Sequence, residues 1–279
     1  MPLATADLAL AGARPPWPLA KAASAGSSAA GRLVSMWGVA GSPGAGAFDT
    51  TLNGVTLDST ATGAIPRTNP ASGKSYVFDL SVNAGTNGAG QSGVFWLIDR
   101  LWHNGGFTIT STSAQNIVSP TWPSRCPTSA TDDTPSTNGY SVLLGLEISA
   151  GTGAGTPTAT ISYTNSAGTA GRSGAMIAAG QASSPAQSFY PIGLQAGDTG
   201  VRSVQSLTLS ATWTSGTMNL VAYRILGAVS AISVGVLSQA DWYALGSQRI
   251  YDGACLSFLY NSPAASVTGL SGQFTETQG

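Results

Sequence analysis

The feature that most constrains the fold is a hydrophobic period of two, which recurs along most of the chain. The clearest example lies between residues 204 and 213, where Leu207, Leu209 and Trp213 alternate with hydroxyl side chains such as Thr208. Successive side chains of a strand point to opposite faces of a sheet. This alternation therefore predicts a strand with one buried and one solvated face.

Similar runs, separated by turns rich in Gly, Asn and Ser, predict many further short strands. They lie at 75–82, 93–102, 107–112, 140–149, 156–163, 218–226, 255–260 and 266–275. Such a series favours an all-β protein, and we predict an antiparallel β-sandwich with a jelly-roll-like arrangement. One segment departs from the pattern: 238–245 predicts a short helix with Ser238 as its N-cap.

The first 34 residues differ in composition from the rest. We predict an extended N-terminal arm over 1–34 and a single β-sandwich domain over 35–279. The arm carries a proline-rich run followed by an Ala/Ser/Gly stretch, which is typical either of a disordered tail or of an arm ordered on a neighbouring subunit. Trp17 favours the second, because large aromatic side chains anchor interfaces. The predicted interface residues are Arg14, Pro15, Pro16, Trp17, Pro18 and, from a proline-flanked loop, Trp122.

Charged residues are scarce, and this restricts the chemistry available to the chain. They make up 8% of 279 residues, against about 25% in a typical domain. With one histidine, His103, the sequence predicts no catalytic residues, no transition-metal site and no cofactor. The net charge of −1 argues against binding to nucleic acid. No apolar run is long enough to span a membrane.

The remaining polar motifs are weak as functional sites. Asp99 lies four residues from His103, too far along a strand for a catalytic pair, and His103 is predicted to be structural. The acids at Asp132 and Asp133 lack the spacing of a calcium loop. Cys126 and Cys255 are predicted to be two buried cysteines of a protein made in a reducing cytosol, with a disulfide as the alternative.

The aromatic residues leave a second function open. Phe95, Trp96 and Trp213 fall within apolar strand patterns and are predicted to be core residues. Trp37, Trp122 and Trp242 lie near loops, where they could line a sugar groove. The loop 120–125 is predicted to be rigid and exposed, as a contact patch around Trp122.

Three stretches resemble virion structural proteins of tailed bacteriophages. They are Leu101–Gly106, Ile161–Arg172 and Leu194–Gln205, and the resemblance spans about residues 35–226. It implies a structural protein of the virion, assembled in the host bacterial cytoplasm, and it implies no catalytic residues. It leaves head and tail open, and the lack of heptads and of fibre-like repeats favours the head surface.

The sequence as a whole predicts a non-enzymatic capsid-associated decoration or cement protein. Its expected partners are the major capsid protein and copies of itself, with no nucleic acid and no membrane. The alternative is a receptor-binding or lectin-like tail module that uses exposed aromatic residues to bind a glycan. A polysaccharide depolymerase comes third, because it requires paired carboxylates and the acids of this chain are scattered.

Overall fold

The computed structural model describes residues 6–22, 32–84, 93–231, 235–262 and 269–279. Its elements are α1 (Ala6–Ala11), β1 (Trp17–Lys21), β2 (Arg32–Ser35), β3 (Gly41–Ser42), β4 (Val55–Thr56), β5 (Ser75–Ala84), β6 (Gly93–Asn104), β7 (Gln115–Asn116), β8 (Cys126–Pro127), β9 (Pro135–Ser136), β10 (Leu143–Ala150), β11 (Ala159–Asn165), β12 (Arg172–Met176), β13 (Ser188–Gly193), β14 (Val201–Leu209), β15 (Thr217–Ala231), β16 (Ser238–Asp241), β17 (Arg249–Ile250), β18 (Leu256–Ser262) and β19 (Leu270–Gln278). Strand pairs such as β1–β19, β10–β15 and β11–β14 are antiparallel. The predicted all-β antiparallel fold class is confirmed.

The chain divides into two compact units. Unit 1 comprises Met1–Gly46, Asp58–Asp99 and Ile225–Gly279, and unit 2 comprises Ala47–Leu57 and Arg100–Arg224. This division differs from the predicted arm over 1–34 and single domain over 35–279. The chain passes between the units several times, and neither composition nor hydrophobic period changes at those points.

Unit 1 contains a sheet in which the two ends of the chain meet. Its strand order is β16-β5-β19-β1-β3, with β17 also paired to β5. The hydrophobic cluster of this unit includes Leu19 from β1, Leu80 from β5 and Phe274 from β19. The sheet therefore places the N-terminal strand β1 beside the C-terminal strand β19, through five consecutive residue pairs.

Unit 2 has its own hydrophobic cluster. In this unit β11 lies between β12 and β14, while β10 pairs with both β13 and β15. The clearest predicted strand, around Leu207 and Leu209, is β14, and its apolar face is buried together with Trp213. The alternation in the sequence thus identified a core face correctly.

The predicted helix over 238–245 is wrong. Ser238–Asp241 forms strand β16, which pairs antiparallel with Asp79–Val82 of β5. A single turn follows, in which the Asp241 carboxylate accepts hydrogen bonds from the backbone N–H groups of Tyr243 and Ala244. Pairing with β5 satisfies the backbone groups of this segment, and the carboxylate caps only one turn.

The two cysteines are as predicted. Cys126 and Cys255 are both buried, and no disulfide joins them. Small thiol side chains of this kind pack as apolar groups in a core.

Candidate functional site

Three of the predicted interface residues, Arg14, Pro15 and Trp17, line a groove on unit 1. The groove has a volume of about 430 Å³ and is lined by Arg14, Pro15, Trp17, Pro66, Arg67, Thr68, Asn69, Phe274, Glu276 and Gln278. Ligand sites are concave, in the range of about 300–1,000 Å³, with apolar walls and a few placed polar groups. The groove has these properties, and we take it as the candidate site.

Strand pairing fixes the N-terminal wall of the groove. Trp17 of β1 lies opposite Phe274 of β19, and the Arg14 backbone N–H donates to the carbonyl oxygen of Glu276 at 2.9 Å. The proline-rich run is extended here, as predicted. It is paired with a distant part of its own chain, and its three prolines, Pro15, Pro16 and Pro18, are exposed.

A buried ion pair forms the floor of the groove. Nε of Arg67 lies 3.0 Å from Oε2 of Glu276, and the two side chains are 2% and 9% exposed. Nη1 of Arg67 donates to Oδ1 of Asn69 at 2.9 Å and to the carbonyl oxygen of Tyr251 at 3.3 Å. The Gln278 amide donates to the other carboxylate oxygen of Glu276 at 3.1 Å. These contacts hold Arg67 in one orientation.

Arg14 adds a second positive charge at the rim. Its guanidinium donates from Nε and Nη2 to the side-chain oxygen of Gln278, an uncharged acceptor. Glu276 is the one acidic residue of the lining and is paired with Arg67. The lining as a whole therefore carries one net positive charge, in a chain whose net charge is −1.

Two hydrogen-bond donors of the groove residues are unsatisfied. Nη2 of Arg67 and Nε1 of Trp17 are buried and have no hydrogen-bond partner among the described residues. A buried donor without an acceptor costs on the order of 1–3 kcal/mol. The groove is therefore poorer in acceptors than its donors require.

Trp122 lies elsewhere, and the prediction that it is an exposed interface residue is wrong. Its side chain is 1% exposed, its indole donates to the carbonyl oxygen of Val201 at 2.7 Å, and its ring lies 5.5 Å from that of Trp102. Its indole belongs to the hydrophobic cluster of unit 2. A residue buried in this way cannot anchor an interface.

Unit 2 contains a buried charged cluster that the sequence did not indicate. Nη1 of Arg100 lies 2.7 Å from Oε2 of Glu147, and both side chains are at most 1% exposed. Nη2 of Arg100 donates to Nδ1 of His103 at 2.8 Å. Burial, and then the charge of Arg100, lower the pKa of His103 to about 2. His103 is thus a neutral structural residue, as predicted.

This burial should make the protein sensitive to mild acid. Below pH 6.5 the unfolded chain takes up a proton at His103, while the folded chain does not until about pH 2. The contribution of neutral, buried His103 to the free energy of unfolding is therefore complete above pH 6.5, and it is lost as the pH falls below that value. We expect the free energy of unfolding to drop by about 2 kcal/mol between pH 6.5 and 5, measured by urea denaturation.

His103→Gln is the matched variant for this prediction. It removes the one side chain whose ordinary pKa lies in that interval, so its free energy of unfolding should vary little between pH 6.5 and 5. If the free energy of unfolding changed equally with pH in the wild type and in His103→Gln, His103 would not be the source of the acid sensitivity.

Asp198 joins two of the stretches on which the resemblance rests. Its carboxylate accepts hydrogen bonds from the Tyr163 hydroxyl at 2.6 Å, from Nδ2 of Asn165 at 2.7 Å and from Nε of Arg172 at 2.9 Å. Arg172 and these other donors lower the pKa of Asp198 to about 2. Side chains from both stretches thus form one polar network in unit 2, which stabilises this part of the fold.

We expect Asp198→Asn to lower the free energy of unfolding at pH 7 by about 1–2 kcal/mol. The charged acceptor is lost, although partial exposure of Arg172 weakens the effect. The difference in stability between the wild type and Asp198→Asn should shrink as the pH falls from 3.8 towards 2. Over that range the wild-type Asp198 carboxylate takes up a proton and becomes uncharged, like the asparagine. Asp132→Asn, on an exposed loop, is the control, and an equal loss in both variants would contradict the prediction.

The described residues hold no group of three or more His, Cys, Asp or Glu side chains that could bind a metal ion. No helix in the described ranges is long and apolar enough to cross a membrane.

Comparison with known proteins identifies no family for this chain. No family model matches the chain, and no curated protein matches it. Among solved structures it is weakly similar to that of infectious bursal disease virus, with 10% identity, a TM-score of 0.17, and coverage of 95% of this chain and 82% of the other. The VP2 subviral particle of the same virus gives 8% identity, a TM-score of 0.18, and coverage of 96% and 81%. Both are structures of virus particles. Scores this low do not establish a shared fold.

Proposed function

We propose that this protein is a non-enzymatic structural component of a tailed-phage virion, associated with the capsid as a decoration or cement protein. It acts by burying surface against the major capsid protein and against copies of itself. The proposal rests on the sequence resemblance and on how the chain distributes its few charges.

The placement of ionisable side chains carries the proposal. The chain has 11 Lys and Arg, 12 Asp and Glu and one His. Nine of these 24 residues are buried: Lys21, Asp79, Asp99, Arg100, His103, Arg125, Glu147, Arg224 and Glu276. The surface is therefore even poorer in charge than the composition suggests. Such a surface gives little repulsion between copies and little charge desolvation on packing, both of which favour association.

Exposed apolar side chains provide contacts for such association. In unit 1, Val236 and Leu237 precede β16 and Tyr243 follows it, with exposures of 49%, 58% and 82%. β16 lies at the end of the strand order of its sheet. Tyrosine is among the residues that dominate interface energetics, so this edge of the sheet is where we place one subunit contact.

The location of the protein in purified particles tests the proposal. We expect mass spectrometry to find the chain in particles at a fixed ratio to the major capsid protein, and a reconstruction to place it on the head. Absence from particles purified to constant composition would overturn the structural role. Density at the tail tip would overturn the head assignment.

A receptor-binding module is the second candidate, and the groove on unit 1 is the observation that favours it. Host-cell adsorption separates the two functions, because soluble protein should block adsorption only if it binds the receptor.

A depolymerase is less well supported, because the groove lining has one carboxylate, Glu276, whereas glycoside hydrolysis uses two.

A further inference from the structure

We infer that the groove on unit 1 is a binding site for a saccharide that carries a carboxylate, such as a uronic acid. This inference goes beyond the proposed structural role and does not depend on it. It rests on the charge of the groove, on its unsatisfied donors and on its shape.

The charge of the groove selects an anion. Arg67 is neutralised by Glu276, but Arg14 bonds only to an uncharged amide and has no described carboxylate partner. Arg14 lies exposed at the rim and has N–H groups that Gln278 does not use, because a guanidinium has five. Arginine pairs with carboxylates through two parallel hydrogen bonds, which makes this side chain the first contact for an acidic group.

The unsatisfied donors select a ligand rich in oxygen. Nη2 of Arg67 and Nε1 of Trp17 are buried donors with no described acceptor, and both residues line the groove. A small shift of either side chain would bring its donor to the groove surface, where a hydroxyl or ring oxygen can accept from it. A hydroxyl group also donates, and the backbone carbonyl oxygen of Thr68, which accepts one hydrogen bond from the Gln278 amide, can accept a second. A neutral apolar ligand would leave both donors unsatisfied.

The walls of the groove suit the apolar faces of sugar rings. Pro15, Pro66 and the partly exposed indole of Trp17 present apolar surfaces beside the polar groups. Tryptophan combines an apolar face with one donor at its edge, which suits a sugar ring with a CH-rich face and hydroxyl edges. The volume of about 430 Å³ accommodates a small number of such rings and is too small for a folded partner.

Titration of the full chain with tetragalacturonate tests the inference. The matched control ligand is the methyl ester of the same oligomer, in which each carboxylate is masked and the rings are unchanged. We expect saturable binding of the acid, followed by isothermal titration calorimetry and by tryptophan fluorescence, and binding of the ester that is weaker by about tenfold or more. Binding should also weaken as salt is raised.

Two variants locate the binding at the groove. Arg14→Gln should weaken the binding of tetragalacturonate by about tenfold, and Trp17→Phe, which removes only the indole N–H and part of the ring, by a smaller factor. Arg202→Gln, an exposed arginine of unit 2, is the control and should bind like the wild type. Unchanged melting temperatures show that each variant is folded.

Several outcomes would overturn the inference. These are the absence of saturable binding of the acid, equal binding of acid and ester, and equal effects of the Arg14 and Arg202 variants. Tighter binding of a peptide of acidic residues than of tetragalacturonate would make the groove a peptide site and reject the saccharide. None of these outcomes bears on the virion assignment, because that is tested on purified particles.

Discussion

Replacing Glu147 by glutamine is expected to lower the free energy of unfolding by about 3–5 kcal/mol. The side chains of Glu147 and Arg100 lie 2.7 Å apart and are almost fully buried. Removing the negative charge leaves the Arg100 guanidinium buried without its counter-charge, close to His103. Equilibrium denaturation in urea at pH 7 measures the loss.

Two controls separate the ion pair from general effects of substitution. Asp7→Asn, at an exposed position in the first turn of α1, should change the free energy of unfolding by less than about 0.5 kcal/mol. The double variant Arg100→Met with Glu147→Leu removes both charges and should recover much of the loss, because an apolar pair of similar volume can replace a buried ion pair. A loss below about 1 kcal/mol in Glu147→Gln would show that the charges are not coupled in a buried site.

The fold class could be predicted because the alternation of apolar and hydroxyl side chains is a local property. Around Leu207 and Leu209 the period of two alone identifies the buried face. The same reasoning failed at 107–112, predicted as a strand. Phe107 and Ile109 are buried there, but the segment forms no strand in the described structure. Burial of alternate residues occurs in loops as well as in strands, so the pattern does not distinguish them.

The candidate site could be predicted only in part. The proline-rich run drew attention to Arg14 and Trp17, and both line the groove. Their partners Glu276 and Gln278 lie about 260 residues away, and no local signal relates them. The pairing of β1 with β19 is a long-range contact, and the sequence of a strand does not specify which distant strand it pairs with.

The buried charges were missed for a similar reason. Arg100 lies on β6 and Glu147 on β10, two strands that are far apart in the sequence, and their side chains meet at 2.7 Å. The period of each strand shows which of its side chains share a face. It does not show which distant strand packs against that face, so neither residue has a local signal for its partner.

Deletion of the N-terminal segment is expected to have the second large effect on the free energy of unfolding. The composition of residues 1–34 predicts a separable arm, whose deletion would leave the melting transition unchanged. The structure predicts the opposite for deletion of residues 1–30. Five residue pairs join β1 to β19, and the Leu19 side chain is 5% exposed in the core of unit 1. Nζ of Lys21 donates to the carbonyl oxygens of Val39, Pro43 and Gly44, at 3.1, 2.7 and 3.2 Å.

Deletion of residues 1–30 should therefore lower the free energy of unfolding by at least about 3 kcal/mol, since removal of one buried leucine side chain alone typically costs 2–5 kcal/mol. Calorimetric melting of the truncated and full-length chains measures the difference. Leu19→Ala should reproduce much of it, whereas Leu10→Ala, at a side chain that is 63% exposed, should have little effect. A synthetic peptide of residues 6–22 should partly restore stability to the truncated chain, because β19 then regains its neighbour. An unchanged melting transition after truncation would instead show that β1 adds nothing to unit 1, and that these residues are free to bind another subunit as the composition predicts.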